Sequence, residues 1–273
     1  MSALPLGDLN MDRIVLAGIN SYPGCPLRGC INDILNMKSY LTAECGIDPN
    51  NIHMLLDRAA TTDAILSELS WLAGTPTGAR AYFHYSGHGA QVDDPHGLNG
   101  LADVICPVDF DWSPQHMITD KQFLSIFGGM ATGVHFNWAS DSCHSGDLDR
   151  DLPKPNGPKM TPKCIVPPPG LHHKIAELKK QMTAPSHANR AMLGGMLDVG
   201  FASGCRSDQT SADTEIAMQP CGAFTAFYLQ ALRANKGAPF AQVVAATAAL
   251  LSQNGYSQQP QAQGARINLP LFG

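Results

Sequence analysis

The chain is sparing in charge and in aromatic residues, which make up 15% and 7% of its 273 residues. It contains no run of 18 apolar residues, so no segment reads as a transmembrane helix. The first twenty residues, MSALPLGDLNMDRIVLAGIN, lack a basic region followed by an apolar stretch, and no secretory leader is expected there. Basic residues are not in excess. At a net charge of −5, a nucleic-acid partner is disfavoured on electrostatic grounds. No Gly-rich phosphate loop follows the first apolar run, where GINSYPGC is a poor match, which weakens a flavodoxin-like ligand-binding reading. The eight cysteines are scattered over a long chain and do not resemble a disulfide framework. CPLRGC (Cys25, Cys30) could form half of a zinc site, but no second Cys/His pair at finger spacing accompanies it. These absences lead to the expectation of a soluble, cytoplasmic protein, monomeric or weakly oligomeric, with no nucleic-acid or membrane partner.

What is present is ample core material, 44% hydrophobic, in an alternating pattern. RIVLAGIN (13–20), NIHMLLD (51–57), ARAYFHYSGHG (79–89), GVHFNWASDSCHSG (133–146) and MLDVGFASGC (196–205) read as buried strands. Between and after them lie segments of helical spacing: 30–46 ending at Gly46, 61–74 with Thr61 or Thr62 as N-cap, 119–130, and two within 221–255. A last strand is expected in ARINLPLF (265–272). Strands alternating with helices predict an α/β fold, a mostly parallel central sheet with helices on both faces.

Residues 150–190 break the pattern. They hold eight of the twenty prolines and eight basic residues against two acids, a net of +6 in a chain of net −5. Three consecutive prolines (167–169) predict irregular structure there, and the segment reads as a linker.

Two strands end in polar, glycine-rich turns, HYSGHGAQ and SDSCHSGD. In an open α/β sheet, chemistry gathers beyond the carboxyl ends of the strands. If these two strands are neighbours, His88 and Cys143 meet across the crevice. A thiolate with a histidine partner and backbone N–H donors is the minimum apparatus for acyl transfer from a peptide. His144, adjacent to Cys143 on an extended chain, points the opposite way and is a poor base for it. Either residue taken alone reads more simply as a buried thiol or a turn histidine.

At these residues the chain resembles the metacaspases and their prokaryotic caspase-like relatives. HYSGHG and DSCHSG match the blocks of the catalytic histidine and cysteine. LRGCINDI, DVICPVDF, ASGCRSDQTSAD, GAFTAFYLQAL and SQQPQ match further blocks. The resemblance implies the caspase–haemoglobinase fold. Residues 1–149 would form a large-subunit-like part, 150–190 a linker and 191–273 a small-subunit-like part of one domain. It also implies a cysteine endopeptidase with Cys143 as nucleophile, His88 as base, and the N–H groups of Gly89 and Cys143 facing the oxyanion. The family's substrate pocket maps onto Cys30, Asp33, Ser86 and Asp141. Two carboxylates there would select Lys or Arg before the scissile bond in protein or peptide substrates. Preference for acidic side chains, with Arg28 the one nearby basic candidate, and a catalytically silent interaction module are the alternatives.

Many metacaspases bind calcium through aspartates. Here Asp103 and Asp120 are available, but Thr119 stands where a second acid is common. Asp147, Asp149 and Asp151 follow the nucleophile, with Arg150 aligned to a ligand position. Calcium takes six to eight oxygens, so a weak site or none, and no essential cofactor, is the expectation. A basic segment tethered beside an acidic pocket is also expected to be cut by its own enzyme. Proline crowds Lys154 and Lys163, leaving Lys174, Lys179, Lys180 and Arg190 as the expected self-cleavage sites.

Overall fold

The computed structural model describes residues 11–94, 100–143, 157–181, 197–206 and 209–272. A six-stranded sheet forms its centre. In spatial order it runs β12 (Gln261–Gln263), β9 (Val199–Ser203), β7 (His135–Asp141), β3 (Arg80–Ser86), β1 (Arg13–Gly18) and β2 (Ile52–Leu56). All neighbours are parallel except the β12–β9 pair. β9 and β12, which follow the basic segment in sequence, complete the same sheet as β1, β2, β3 and β7.

The nearly unbroken apolar runs of the inner strands follow from coverage on both faces. On β1 and β3, Val15, Ala17, Phe83 and Tyr85 face one layer, joined by Ile65, Leu69 and Leu72 of α2 (Thr62–Ala73) and Phe123 and Phe127 of α3 (Asp120–Phe127). Ile14, Leu16 and Tyr82 face the other. That layer holds Ile34, Met37 and Leu41 of α1 (Cys30–Cys45), Phe224 and Tyr228 of α5 (Ala223–Ala234), and Val243 and Val244 of α6 (Phe240–Gln253). The helix boundaries have local causes. Thr61 Oγ1 accepts from Ala64 N–H at the start of α2, and Gly46 closes α1 at φ +66°.

Two small antiparallel sheets flank the sheet edge where the site lies: β4 (Gly89–Asp93), β5 (Leu101–Ile105) and β6 (Ile118–Thr119) in one, β11 (Gln219–Gly222), β10 (Ala212–Ile216) and β8 (Met160–Pro162) in the other. The sequence pattern did not foretell these hairpins.

Two further expectations need correction. The last strand is not ARINLPLF, which forms turns, but the Gln-rich stretch before it. Residues 150–190 are not uniformly irregular, since they include β8 and helix α4 (Pro169–Gln181). The third proline of the run opens that helix. Its missing N–H is one of the unpaired donors of a first turn, and its fixed φ already suits a helix.

Candidate active site

β3 and β7 are parallel neighbours in register from Arg80↔His135 to Ser86↔Asp141, so both chains leave the sheet at the same edge. Two residues past each end come His88 and Cys143. Gly87 between Ser86 and His88 is required by close approach, because a Cβ there would run into the hydroxyls of Tyr22 and Tyr85.

Every side of His88 but one is committed. Its backbone N–H donates to Tyr22 Oη at 3.1 Å, Nε2–H donates to the Cys25 carbonyl at 2.7 Å, and its ring lies 4.5 Å from that of Tyr22. Nδ1 is buried and has no hydrogen-bond partner. Burial pulls the imidazole down to about 4, against the opposing pull of the Cys25 carbonyl, so the ring is neutral. Cys143 is fully buried beside Cys164 and Cys205. Burial first, then the Cys164 thiol, push the Cys143 thiol well above its ordinary value.

What covers Cys143 is the chain itself. β8 pairs antiparallel with β10, matching Met160 to Thr214, Thr161 to Asp213 and Pro162 to Ala212. The next residue, Lys163, is a fully buried lysine. Its Nζ lies 3.2 Å from Asp33 Oδ2 and 3.1 Å from Asp141 Oδ2, and it donates to Ser86 Oγ at 2.9 Å. Its backbone N–H donates to the Ser211 carbonyl at 2.9 Å. Its carbonyl accepts from Gly89 N–H at 3.1 Å and from Cys143 N–H at 3.2 Å. The carbonyl of the peptide bond joining Lys163 to Cys164 is therefore held by two N–H donors, one of them that of Cys143 itself.

Burying three ionised groups is costly unless each is closely paired and hydrogen-bonded. Here each is. Asp141 accepts from Ser211 Oγ at 2.5 Å and from Thr225 N–H and Oγ1 at 3.1 and 2.8 Å. Asp33 accepts from Ser86 Oγ at 2.7 Å and Gly222 N–H at 2.8 Å. Glycine at 222 is what leaves room, since a Cβ there would strike Asp141, Lys163 and Asp33 together. Burial raises Asp33 to about 6, opposed by Lys163 and reinforced by repulsion from Asp141. In Asp141, Lys163 and the Ser211 and Thr225 donors overcome burial and hold the carboxyl below its usual range. Asp141 first, and Asp33 with it, in turn hold the lysine charged despite its burial.

A family model described as metacaspase, peptidase C14 domain, matches residues 12–153. Over 91% of its length the chain is 32% identical to metacaspase-1 of Pyricularia oryzae, 70% of which it spans. It is also 30% identical over 96% of its length to metacaspase-1A of Aspergillus oryzae, again spanning 70%. The chain belongs to the metacaspase family. It is a cysteine-type endopeptidase, and its substrates are proteins. Its fold is that of the caspase–haemoglobinase class. A crystal structure of a Geobacter sulfurreducens protein shares it at a TM-score of 0.67 and 21% identity, covering 96% of this chain and 98% of that one.

In this metacaspase, Cys30 and Asp33 of α1, Ser86 of β3 and Asp141 of β7 converge on one lysine from three elements. Sequence reasoning did not single out Ser211, Asp213, Gly222 or Thr225. The first two lie in ASGCRSDQTSAD and the others in GAFTAFYLQAL, both already matched as blocks, so position within a matched block was the available signal. Asp213 orients the loop before α1, accepting from Arg28 and Gly29 N–H at 2.8 and 2.9 Å.

The lysine in the pocket is not one of those expected. Lys174, Lys179 and Lys180 lie on α4, where Lys174 pairs with Asp93 and Lys180 with Glu177. A helix cannot add to β10 without unwinding. Arg190 lies outside the described residues. Pro162 does not disqualify Lys163, for a reason of register. Lys163 N–H bonds Ser211, and antiparallel ladders alternate bonded and non-bonded pairs, so Pro162 opposite Ala212 falls where no N–H is needed.

The aspartates read as calcium ligands do not gather into a site among the described residues, which contain no group of three or more candidate ligands. Asp103 Oδ1 accepts from Gln91 Nε2 at 3.0 Å. Asp120 is raised to about 6 by burial and then by Asp103. Thr119 caps α3, its hydroxyl accepting from Gln122 N–H while Gln122 Oε1 accepts from Thr119 N–H. Two neighbouring carboxylates fall short of six to eight oxygens. His144, Asp147, Asp149, Arg150 and Asp151 lie outside the described residues.

Proposed function

We propose that this metacaspase cleaves on the carboxyl side of Lys or Arg through Cys143 and His88, and that it cuts its own chain after Lys163. One observation supports both parts: a lysine held between Asp33 and Asp141 whose carbonyl accepts from Gly89 and Cys143 N–H. In this reading Nδ1 of His88 takes the Cys143 proton as Sγ attacks the Lys163 carbonyl carbon. The two N–H groups hold the oxyanion. Collapse breaks the bond to the Cys164 nitrogen, which leaves with the proton from His88. Water then hydrolyses the thioester and regenerates the thiol. Arginine suits the same carboxylates through its planar fork. An acidic side chain would meet two like charges, which counts against that alternative, and a silent interaction module has no use for a buried Nδ1 left without a hydrogen bond.

An arginyl chloromethylketone tests the reading. It is expected to alkylate Cys143 in the self-processed protein and to leave His88→Ala unlabelled. No labelling, with no hydrolysis of lysyl or arginyl reporters, would sink it.

Carboxylates hold a cation only when ionised, so Asp33 sets a pH limb. With the lysine in place its value is about 6. Without that cation, one of the influences lowering it is gone and the value moves up. The kcat/KM for lysyl reporters is therefore expected to fall as pH drops, with a midpoint at or above about 6, and Asp33→Asn should abolish that limb. A midpoint near 4 would point to His88 instead.

We propose further that calcium is not required. Reporter hydrolysis by the self-processed enzyme is expected to survive chelation. Activity that collapses with chelator and returns only with calcium would show that Asp103 and Asp120 are completed by other groups.

A further inference from the structure

One fully buried histidine has no part in the mechanism above, yet it bonds to a residue of the acidic pocket. His84 and Tyr82 are alternate residues of β3 and share the sheet face that α5 covers. His84 Nδ1 lies 3.2 Å from Tyr82 Oη, and its Nε2 lies 3.2 Å from Thr225 Oγ1. The Thr225 hydroxyl in turn donates to Asp141 Oδ2 at 2.8 Å. The direction of these bonds is fixed from the carboxylate end. An ionised carboxylate only accepts, so the single Thr225 hydroxyl proton goes to Asp141. Toward His84, Thr225 Oγ1 is left as an acceptor, and Nε2 must carry the hydrogen. Burial pulls the imidazole down to about 4, against the opposing pull of Asp141, so the ring is neutral and its Nδ1 bare. Tyr82 Oη–H then donates to Nδ1. Three dipoles in line, from Tyr82 through His84 to Thr225, end on Asp141.

We infer that His84 is a positioning residue for the substrate cation: its Nε2–H holds the Thr225 hydroxyl in the rotamer that donates to Asp141, and so aims that carboxylate at the incoming lysine or arginine. This rests on the reading that Asp33 and Asp141 hold the basic side chain before the scissile bond. The hydroxyl has a competing choice. Thr225 is the third residue of α5, and a helical threonine can turn its hydroxyl back to a carbonyl three or four residues earlier. Turning away here would leave the Nε2–H of His84 buried without an acceptor, which disfavours that rotamer. The two carboxylates differ in this respect. Ser86, the hydroxyl donor to Asp33, takes its own hydrogen bond from Lys163 Nζ. Asp33 therefore loses that support when the cation leaves, whereas Asp141 keeps Thr225 and His84 and stays aimed in the empty pocket.

The test uses full-length protein carrying Lys163→Ala, so that neither docking nor self-cleavage of Lys163 enters the rates. Two variants are made in that background. His84→Met fills similar volume without a donor, and Thr225→Val keeps the backbone N–H but not the hydroxyl. Each is expected to raise KM for a lysyl reporter about tenfold, the size of one hydrogen bond, with kcat little changed. His84→Gln, whose Nε2 can donate in the same direction, is expected to restore most of the affinity. The double variant should be no worse than Thr225→Val alone, because the two residues act in series. Alkylation of Cys143 by iodoacetamide, which places nothing in the pocket, should run at one rate in all of them. Lysyl KM unmoved in His84→Met, Gln as impaired as Met, losses that multiply in the double variant, or alkylation that falls with turnover would overturn the role of His84. Each would leave cleavage after lysine intact. Absence of lysyl and arginyl hydrolysis in the parent protein would overturn the inference together with the reading beneath it.

Discussion

Purified wild-type protein is expected to part at a single bond, yielding residues 1–163 and 164–273. Intact-mass measurement and N-terminal sequencing should find Cys164 as the new amino terminus. The expectation rests on docking geometry: the Lys163 side chain is neutralised by two carboxylates, and its carbonyl is held by two N–H groups. A tethered substrate aligned in this way reacts as a unimolecular system, which is worth several orders of magnitude over a free peptide. Cys143→Ala should stay intact indefinitely. Lys163→Ala should also stay whole yet hydrolyse reporters without a lag, because nothing then fills the acidic pocket. The fragments are expected to co-elute, since β9 and β12 sit in the same sheet as β7. Cleavage within 174–190 with Lys163 left uncut would contradict this expectation. The raised Cys143 thiol and neutral His88 make the step slow at first and faster as pH rises.

The second large effect is expected at Asp141. Removing its charge leaves a buried lysine facing Asp33 alone. Loss of one partner from a desolvated charge pair costs roughly 2–5 kcal/mol. At about 1.4 kcal/mol per tenfold, that is roughly thirty- to several-thousand-fold in kcat/KM for lysyl reporters. Asp141→Asn should therefore nearly abolish both self-cleavage and reporter turnover. Asp141 also accepts from Ser211 Oγ and Thr225 N–H, at the start of α5. Thermal melting must therefore be measured beside the kinetics, and Ser211→Ala serves as a comparison that disturbs Asp141 without uncharging it. Near-wild-type lysyl turnover in folded Asp141→Asn would show that this carboxylate does not hold the substrate cation.

Much of the candidate site was open to reading from local pattern because its residues lie at the ends of strands or the start of a helix. His88 and Cys143 each come two residues after an apolar run, inside Gly/Ser turns, and such turns in an α/β chain collect at one sheet edge. Cys30 and Asp33 sit one helical turn apart at the start of α1, a spacing that puts them on one face. Ser86 and Asp141 end their strands and lie opposite each other in the β3–β7 register. The residues missed are those whose role depends on distant chain. Ser211 and Thr225 matter because they bond Asp141, and Gly222 because a Cβ there would fill the pocket.

Periodicity and turn chemistry within each segment determined the alternating α/β order, the two faces of the sheet, and the family motif of a cysteine and a histidine after strands. These are properties of contiguous residues, and short-range sterics and burial impose them wherever the segment lies. Which lysine of the basic segment meets the carboxylates was decided only by tertiary structure. Eight basic residues of similar local character compete there. The winner is the one whose neighbours can pair with β10 in a register that wastes no N–H on proline, while α4 withdraws three of the others into a helix. That choice depends on an edge strand formed some fifty residues later in the chain, and local composition carries no information about it.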